Sequence, residues 1–303
     1  MSYLLGLFAN NILPIFIASA SGYLLAKYVR VNPRSISQLA FYIFSPALVF
    51  KLLTSSNLGH TEILRMGGFA LAGVLLIGLL AWLVGRLFRF ERRLLVAVAL
   101  AVMFGNSGNY GLSLNLFAFG KEALPYASLY FVVVLLLMYT LGVFLASLGS
   151  GGAKTALLGL LKVPAVYATL AALLVNQLGW ELPLPIDRTV TLLGDATIAT
   201  LMVLMGAQLY HSQWNGQFLA LGLANGMRLV VAPFLAIGLA ALFGLTGTAY
   251  QAGVAQASMP TAVVMTILAT EYDVEPSFVS SVVFTSTLLS PLTVTPLLAY
   301  LGA

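Results

Sequence analysis

Residues 104–112 read FGNSGNYGL, and they lie near the middle of a run, residues 94–120, that contains no charged side chain. Three glycines, two asparagines and a serine are poor helix formers, and clustered glycines weaken a helix by about 1 kcal/mol each relative to alanine. In hydrocarbon, backbone groups freed from a helix must be buried in protein or face a wet cavity, because lipid offers them no partner. The stretch therefore predicts an interrupted membrane helix whose free backbone belongs to a binding site.

The composition indicates an all-α integral membrane protein. The 303 residues are 60% hydrophobic and only 8% charged, with a mean hydropathy of +1.00, far from the balance of a soluble domain. A helix needs about 20 apolar residues to cross a bilayer, and the sequence predicts ten such spans: 3–26, 36–53, 63–85, 94–120, 123–148, 155–178, 189–210, 216–243, 250–270 and 278–301. Short loops leave no room for a soluble catalytic domain or a nucleic-acid module, and a chain without cysteine forms no disulfide.

The net charge of +5 is explained by membrane topology rather than by an anionic macromolecular partner. In a ten-span arrangement eight cations share one side, and these are Lys27, Arg30, Arg34, Arg86, Arg89, Arg92, Arg93 and Lys154. The opposite side carries Lys51, Arg65, Lys121 and Arg188. Because cytoplasmic loops are enriched in Lys and Arg, we expect a multi-pass protein of the cell membrane with both termini outside the cytoplasm.

The chain divides at residues 149–153 (GSGGA) into two halves, 1–148 and 154–303, within a single membrane domain. Five spans per half force the second half to enter the membrane upside down, which predicts a 5+5 inverted repeat. The interruptions correspond at an offset of about 150 residues: Pro14 pairs with Pro164, and the stretch around Ser107 pairs with residues 258–261 (SMPT). Proline breaks helices, so we expect spans 4 and 9 to be broken near the bilayer midplane and the two breaks to face each other. A lone interruption would indicate only a kink or close packing; the pairing indicates a site.

At these residues the sequence resembles the auxin efflux carrier family, whose members include plant PIN-type carriers and bacterial malonate-type transporters. The similarity covers essentially the whole chain. Residues 106–112 (NSGNYGL) with Phe119 and Gly120 resemble the signature of the fourth span. Residues 259–262 (MPTA) with Leu268 and Ala269 resemble that of the ninth, and residues 286–290 (STLLS) with Thr293 and Pro296 resemble that of the tenth.

The resemblance implies a ten-helix fold like that of the bile acid:sodium symporter, in which spans 4 and 9 are broken and cross at the substrate site. It also implies a scaffold of spans 1, 2, 6 and 7, a mobile core of spans 3–5 and 8–10, elevator-type movement and commonly a homodimer. The sequence departs from the family at Ser113, where a proline is frequent. Gln256 is neutral where sodium-coupled relatives carry acidic residues, which argues against sodium coupling.

The candidate substrate ligands flank the two interruptions. A broken helix presents an N-terminal end with unpaired N–H groups and about half a positive charge, which holds a carboxylate without a lysine. Neutral polar groups suit an organic anion that must bind and then leave, and we expect them to come from Asn106, Ser107, Asn109, Ser258 and Thr261, with Asn115 as a further candidate. Pro260, within the second interruption, is also expected to line the substrate site. Tyr110 and Met259 either form an apolar wall for the substrate or are packing residues.

Ionisable residues inside the spans are the other candidates, because a charge at the bilayer centre costs at least about 2.5 kcal/mol. Arg228 lies deepest, and it either attracts the anion or caps carbonyls of a broken neighbouring helix. Asp195 either carries a coupling proton or is a hydrogen-bonding residue of the scaffold, and Gln256 is the second candidate for coupling. Lys162 and Lys51 are expected to extend to the interfaces. No cofactor or metal site is predicted.

Two other functions fit parts of the sequence. Residues 105–108 (GNSG) match the G-x-S-G pattern of intramembrane serine proteases, but Ser107 then needs a histidine at its own depth, and His60 and His211 are predicted at the membrane faces. A passive channel more often shows rings of like side chains. We therefore expect a secondary transporter of a small organic anion. An auxin-like monocarboxylate and a dicarboxylate such as malonate both fit, with a slight preference for the monocarboxylate because Arg228 is the one cation near the predicted crossover.

Overall fold

The computed structural model describes residues 2–55, 58–147, 163–212 and 216–303. Within these ranges the chain is helical and contains no strand. We number the helices α1 (Ser2–Val29), α2 (Pro33–Thr54), α3 (His60–Leu87), α4 (Arg92–Met103), α5 (107–119), α6 (Lys121–Ala146), α7 (Pro164–Leu178), α8 (Leu184–Tyr210), α9 (Phe218–Leu242), α10 (Gly247–Ala257), α11 (Val264–Glu271) and α12 (Pro276–Leu301). The prediction of an all-helical fold is confirmed.

In the described part of the chain, seven continuous helices are long and apolar enough to cross a bilayer: α1, α2, α3, α6, α8, α9 and α12. The other three predicted spans have a different form. Residues 94–120 and 250–270 are each split into two short helices, and of 155–178 only Pro164–Leu178 is described as a helix. The predicted boundary at 149–153 and Lys162 lie outside the described residues.

Many large apolar side chains lie on the outer surface of the fold, where they would contact lipid. Leu64, Leu242 and Leu292 are among those that extend outward from their helices. A continuous apolar exterior of this extent is unfavourable in water and favourable against acyl chains. The molecule is therefore a multi-pass membrane protein.

Two interruptions face each other at the centre of the fold. The chain leaves helical geometry between α4 and α5 and again between α10 and α11. The amide of Asn106 donates to the carbonyl of Pro260 at 2.7 Å, and the amide of Ala262 donates to the carbonyl of Phe104 at 2.9 Å. Gly105 and Thr261 thus form a short antiparallel bridge, in which each break satisfies backbone groups that the other has freed.

Helix α8 packs closely against α1 and α2, and it also contacts the start of α5. Gly22 of α1 lies against the backbone of Val203, and Gly206 of α8 lies against the backbone of Ser19, so a Cβ at either glycine would overlap the other helix. The Ser19 hydroxyl donates to the Met202 carbonyl at 3.1 Å across the same contact. Small residues permit this approach, as is common between membrane helices. The resulting wall is the surface that the first interruption faces.

Candidate functional site

The first turn of α5 begins directly at the interruption. The carbonyl of Asn106 accepts hydrogen bonds from the amides of Tyr110 at 3.2 Å and Gly111 at 2.9 Å, and the second of these makes Ser107–Leu112 a π-helical turn. The amides of Gly108 and Asn109 come before these two bonded amides in the first turn, and they have no acceptor within the helix. This end of α5 therefore carries the partial positive charge that attracts an anion.

Close contacts explain two of the glycines in the opening stretch. A Cβ at Gly105 would overlap Nη2 of Arg228 and would lie 3.2 Å from the carbonyl oxygen of Met259. A Cβ at Gly111 would overlap the side-chain oxygen of Gln256. Glycine is needed here because a side chain and a second backbone occupy the space that a Cβ would fill.

The guanidinium of Arg228 lies behind the paired breaks, fully buried. Its Nε donates to the carbonyl of Met259 at 2.6 Å, Nη1 to that of Val102 at 3.1 Å, and Nη2 to that of Ala257 at 2.6 Å. Val102 and Ala257 belong to the last turns of α4 and α10, whose carbonyls lack helical donors. Of the two roles expected for Arg228, these contacts are those of the carbonyl cap; the role of anion ligand stays a prediction.

The two asparagines of the break point toward α8. Nδ2 of Asn106 lies 3.5 Å from the sulfur of Met205, and Nδ2 of Asn109 lies 3.4 Å from Oε1 of Gln208. Asn106 is buried, whereas Asn109 is partly exposed. Met205 and Gln208 were not singled out in the sequence, because an apolar helix does not reveal which of its faces meets the break.

The hydroxyls on the second break have structural partners. Ser258 Oγ donates to the carbonyl of Val254 at 2.7 Å, and Thr261 Oγ1 donates to that of Ala101 at 2.8 Å. The amide of Thr261 donates to Ser286 Oγ at 3.1 Å. Ser107 is buried at the start of α5. Of the predicted neutral ligands, Asn106 and Asn109 are therefore the ones directed toward a neighbouring wall.

Tyr110 and Met259 are completely buried. The hydroxyls of Tyr110 and Ser290 lie 3.2 Å apart, and the Tyr110 ring meets that of Phe16 edge to face, with 6.2 Å between ring centroids. Met259 lies against Gly111. These contacts are those of packing residues.

A group of buried amides and hydroxyls lies on the far side of α5. Asn115 Nδ2 donates to the carbonyl of Gly111 at 2.8 Å, and Gln256 Nε2 donates to that of Ala127 at 3.0 Å. Within the described residues, the side-chain oxygens of Asn115, Gln256 and Ser128 have no hydrogen-bond partner. Asn115 is fully buried and donates within its own helix, and its role as a further substrate ligand stays a prediction.

Asp195 lies in a different place. Its Oδ1 is 2.6 Å from Nζ of Lys51, so Lys51 forms an ion pair with α8. The extension of Lys51 to the interface stays a prediction. The pair borders an open cavity of about 650 Å³ between α2, α8, the later part of α5, the start of α6 and the start of α10, and Lys121 and Glu122 also line it. No residue of the two interruptions lines this cavity. The structure therefore separates Asp195 from the other candidates.

Comparison with known proteins defines the class to which this fold belongs. A family model described as "Membrane transport protein" matches residues 7–298, so the chain belongs to that family. The resemblance to auxin efflux carriers is confirmed by the match and by the relatives below. The chain is a membrane transporter and not an enzyme; consistent with this, His60 begins α3 and His211 follows α8, both exposed.

Three relatives show how widely the similarity extends. The chain is 26% identical to an "Uncharacterized transporter" of Methanothermobacter thermautotrophicus, over 93% of this chain and 94% of the relative. It is 29% identical to a "Putative malonate transporter" of Rhizobium meliloti, over 95% and 93% of the two chains. It is 31% identical to "Auxin efflux carrier component 8" of Arabidopsis thaliana over 127 residues, which cover 39% of this chain and 34% of the relative.

Proposed function

We propose that the protein is a secondary transporter of a small organic anion, which binds between the start of α5 and the facing side of α8. The observation that carries the proposal is the pairing of two interrupted helices, with Asn106 and Asn109 directed toward Met205 and Gln208. Discontinuous helices in transporters point N-terminal ends at anionic substrate groups. The amides of Gly108 and Asn109, which have no acceptor within α5, are the donors that a carboxylate meets first.

The proposed membrane arrangement is a ten-span, 5+5 inverted repeat in the cell membrane, with both termini outside the cytoplasm. Counting each interrupted pair as one span and α7 as another adds three crossings to the seven continuous helices. Tyr3 and Ala303 support an even number of crossings, because the Tyr3 hydroxyl donates to the Ala303 carbonyl at 3.1 Å and the two residues therefore lie at the same face. Seven crossings would place them on opposite faces.

The proposed mechanism is alternating access of the elevator type. α1, α2, α7 and α8 form the scaffold, and the helices that hold the two breaks move against it. The contacts between the breaks and α8 are long, at 3.4 and 3.5 Å, so their rearrangement costs little. The backbone bridge between the breaks is short, so both move as one unit. Homodimer formation is a further part of the proposal, taken from the family resemblance. A coupling proton, with Asp195 as its candidate carrier, stays a prediction.

The relatives support a carboxylate as the substrate. One is named for malonate and another for auxin, and both compounds carry a carboxyl group. In this chain the anion would be held by helix N-terminal amides and neutral side chains, because the guanidinium of Arg228 is already engaged by three carbonyls. A single carboxylate matches this set of donors better than two do, which keeps the preference for a monocarboxylate.

Thermal unfolding of the purified protein tests the site. Mono- and dicarboxylates are added one at a time, with and without sodium, to the wild type and to Asn109→Ala. At least one carboxylate is expected to raise the Tm of the wild type and not that of Asn109→Ala. Asn32→Ala is the matched control, because Asn32 caps α2 and its loss should leave the ligand-dependent shift intact. Equal shifts in the wild type and Asn109→Ala would move the substrate away from the break.

Counterflow in proteoliposomes separates a carrier from a passive pore. A carrier exchanges labelled for unlabelled anion with saturable kinetics, because each turnover needs a conformational change. Flux that rises linearly with concentration and shows no exchange would favour the pore.

A further inference from the structure

The most unusual group in the membrane interior is the cation of Arg228. It lies in a π-helical turn of α9, Met227–Val231, and only 3% of the residue is exposed. It donates three hydrogen bonds. Two go to carbonyls at the ends of α4 (Val102) and α10 (Ala257), and the third goes to the carbonyl of Met259 in the second break. No Asp or Glu occurs in α4, α5, α9, α10 or α12, or in residues 124–146 of α6. The charge is therefore offset by carbonyl dipoles.

Carbonyls at these positions are ligands for metal cations in other transporters. Broken helices expose C-terminal carbonyls that carry the negative end of the helix dipole, and such unwound carbonyls coordinate coupling cations. In this chain the guanidinium of Arg228 takes three of them. Two of its bonds are 2.6 Å long, and hydrogen bonds from charged donors are shorter and stronger than those from neutral ones.

We propose that Arg228 is a resident cation of the crossover. Its guanidinium holds the two interrupted segments in register, as a bound metal cation would, so the protein binds and moves its substrate without sodium. The statement that substrate moves without sodium rests on the proposed transport function. The role of Arg228 in holding the two segments rests on the hydrogen bonds alone. Arg228 is thus a positioning residue: it acts on the substrate through the backbone of Val102, Ala257 and Met259.

The neighbouring buried oxygens fit this proposal. The free side-chain oxygens of Gln256, Asn115 and Ser128 are neutral. Gln256 precedes Ala257, whose carbonyl accepts from Arg228. A metal ion held there would add a second buried positive charge, and these helices supply no carboxylate to offset it. Buried neutral oxygens of this kind suit an ordered water molecule.

Thermal unfolding without substrate tests the holding role directly. The wild type is expected to show the same Tm in sodium, potassium and choline chloride. Arg228→Ala is expected to lower the Tm, and millimolar guanidinium is expected to restore most of the loss by refilling the vacated space. Arg228→Lys should remain below the wild type, because one ammonium does not reproduce the planar fork of donors.

Arg65→Ala is the matched control. Arg65 also donates to a carbonyl, that of Gly244 at 3.2 Å, but it is exposed. Guanidinium should therefore not raise the Tm of Arg65→Ala. Three results overturn the proposal: a sodium-dependent Tm in the wild type, an unchanged Tm in Arg228→Ala, or equal effects of guanidinium on both alanine variants. If Arg228→Ala does not fold, the cation series on the wild type and Arg228→Lys decides the question.

The two proposals fail in different ways. A wild type that is stabilised by no carboxylate refutes the proposed substrate site and leaves the guanidinium rescue untouched. A wild type whose carboxylate-dependent shift requires sodium keeps the substrate site and removes the resident cation.

Discussion

Gly105→Ala is the sharpest test of the paired breaks. The new Cβ would overlap Nη2 of Arg228 and would lie 3.2 Å from the carbonyl oxygen of Met259. Forcing extra volume into a packed interior costs about 1–3 kcal/mol. Displacing Nη2 also breaks its 2.6 Å bond to Ala257, and a hydrogen bond from a charged group contributes about 1.5–3 kcal/mol. We expect Gly105→Ala to lower the free energy of unfolding by about 2.5–6 kcal/mol.

The assay is unfolding in mixed micelles by titration with SDS. Gly222→Ala is the matched control, since nothing lies within 4 Å of the added Cβ and alanine favours a helix over glycine by about 1 kcal/mol. A double variant identifies the cause: Gly105→Ala should cost much less when Arg228 is already methionine, because the overlapping group is gone. Wild-type stability in Gly105→Ala would show that the breaks and Arg228 are not in contact.

Three further predictions concern the walls around the site. Gly206→Ala should destabilise the protein by about 1–3 kcal/mol, because its Cβ would overlap the Ser19 backbone. Gly67→Ala should not destabilise it, because the space around that Cβ is open, and SDS titration measures both variants. Asp195→Asn should lower the free energy of unfolding by less than about 1 kcal/mol, since the Asp195 side chain is 65% exposed and solvent weakens its pair with Lys51. It should also leave the pH profile of counterflow unchanged, and a lost pH dependence would make Asp195 the proton carrier. Tyr126→Phe should cost about 1 kcal/mol by removing the 2.6 Å hydrogen bond to Glu62, and an unaltered midpoint would contradict that bond.

Local sequence was enough to locate the interruptions, because glycine, asparagine and proline oppose a helix wherever they cluster. In the first half the observed break is centred about two residues before the predicted centre. The prediction centred the break on Ser107, whereas the structure breaks at residues 104–106 and resumes a wide helix at Ser107. The difference arises because Asn106 and Gly105 pair with the second break, and a contact between residues so far apart in sequence is not visible in either segment alone.

The partners of the ionisable groups were beyond sequence reasoning for the same reason. Arg228 had two equally reasonable roles until its guanidinium was seen against carbonyls from α4 and α10. Lys51 and Asp195 were interpreted separately, yet they form one ion pair across 144 positions. Gln208 carried no local signal, because the rotation of α8 about its own axis decides which of its side chains meets Asn109.

The short helices beside the breaks constrain how the protein is made. α4 has 12 residues and α10 has 11, so each reaches only about half of a hydrocarbon layer at about 1.5 Å per residue. When the ribosome has completed α5, the partners of Phe104 and Asn106 are still about 140 codons away. Until then their backbone groups lack native partners in a medium that supplies none. The first half therefore cannot complete its native hydrogen bonds until the second break has been synthesised. A nascent chain that stalls before Pro260 is a substrate for quality control.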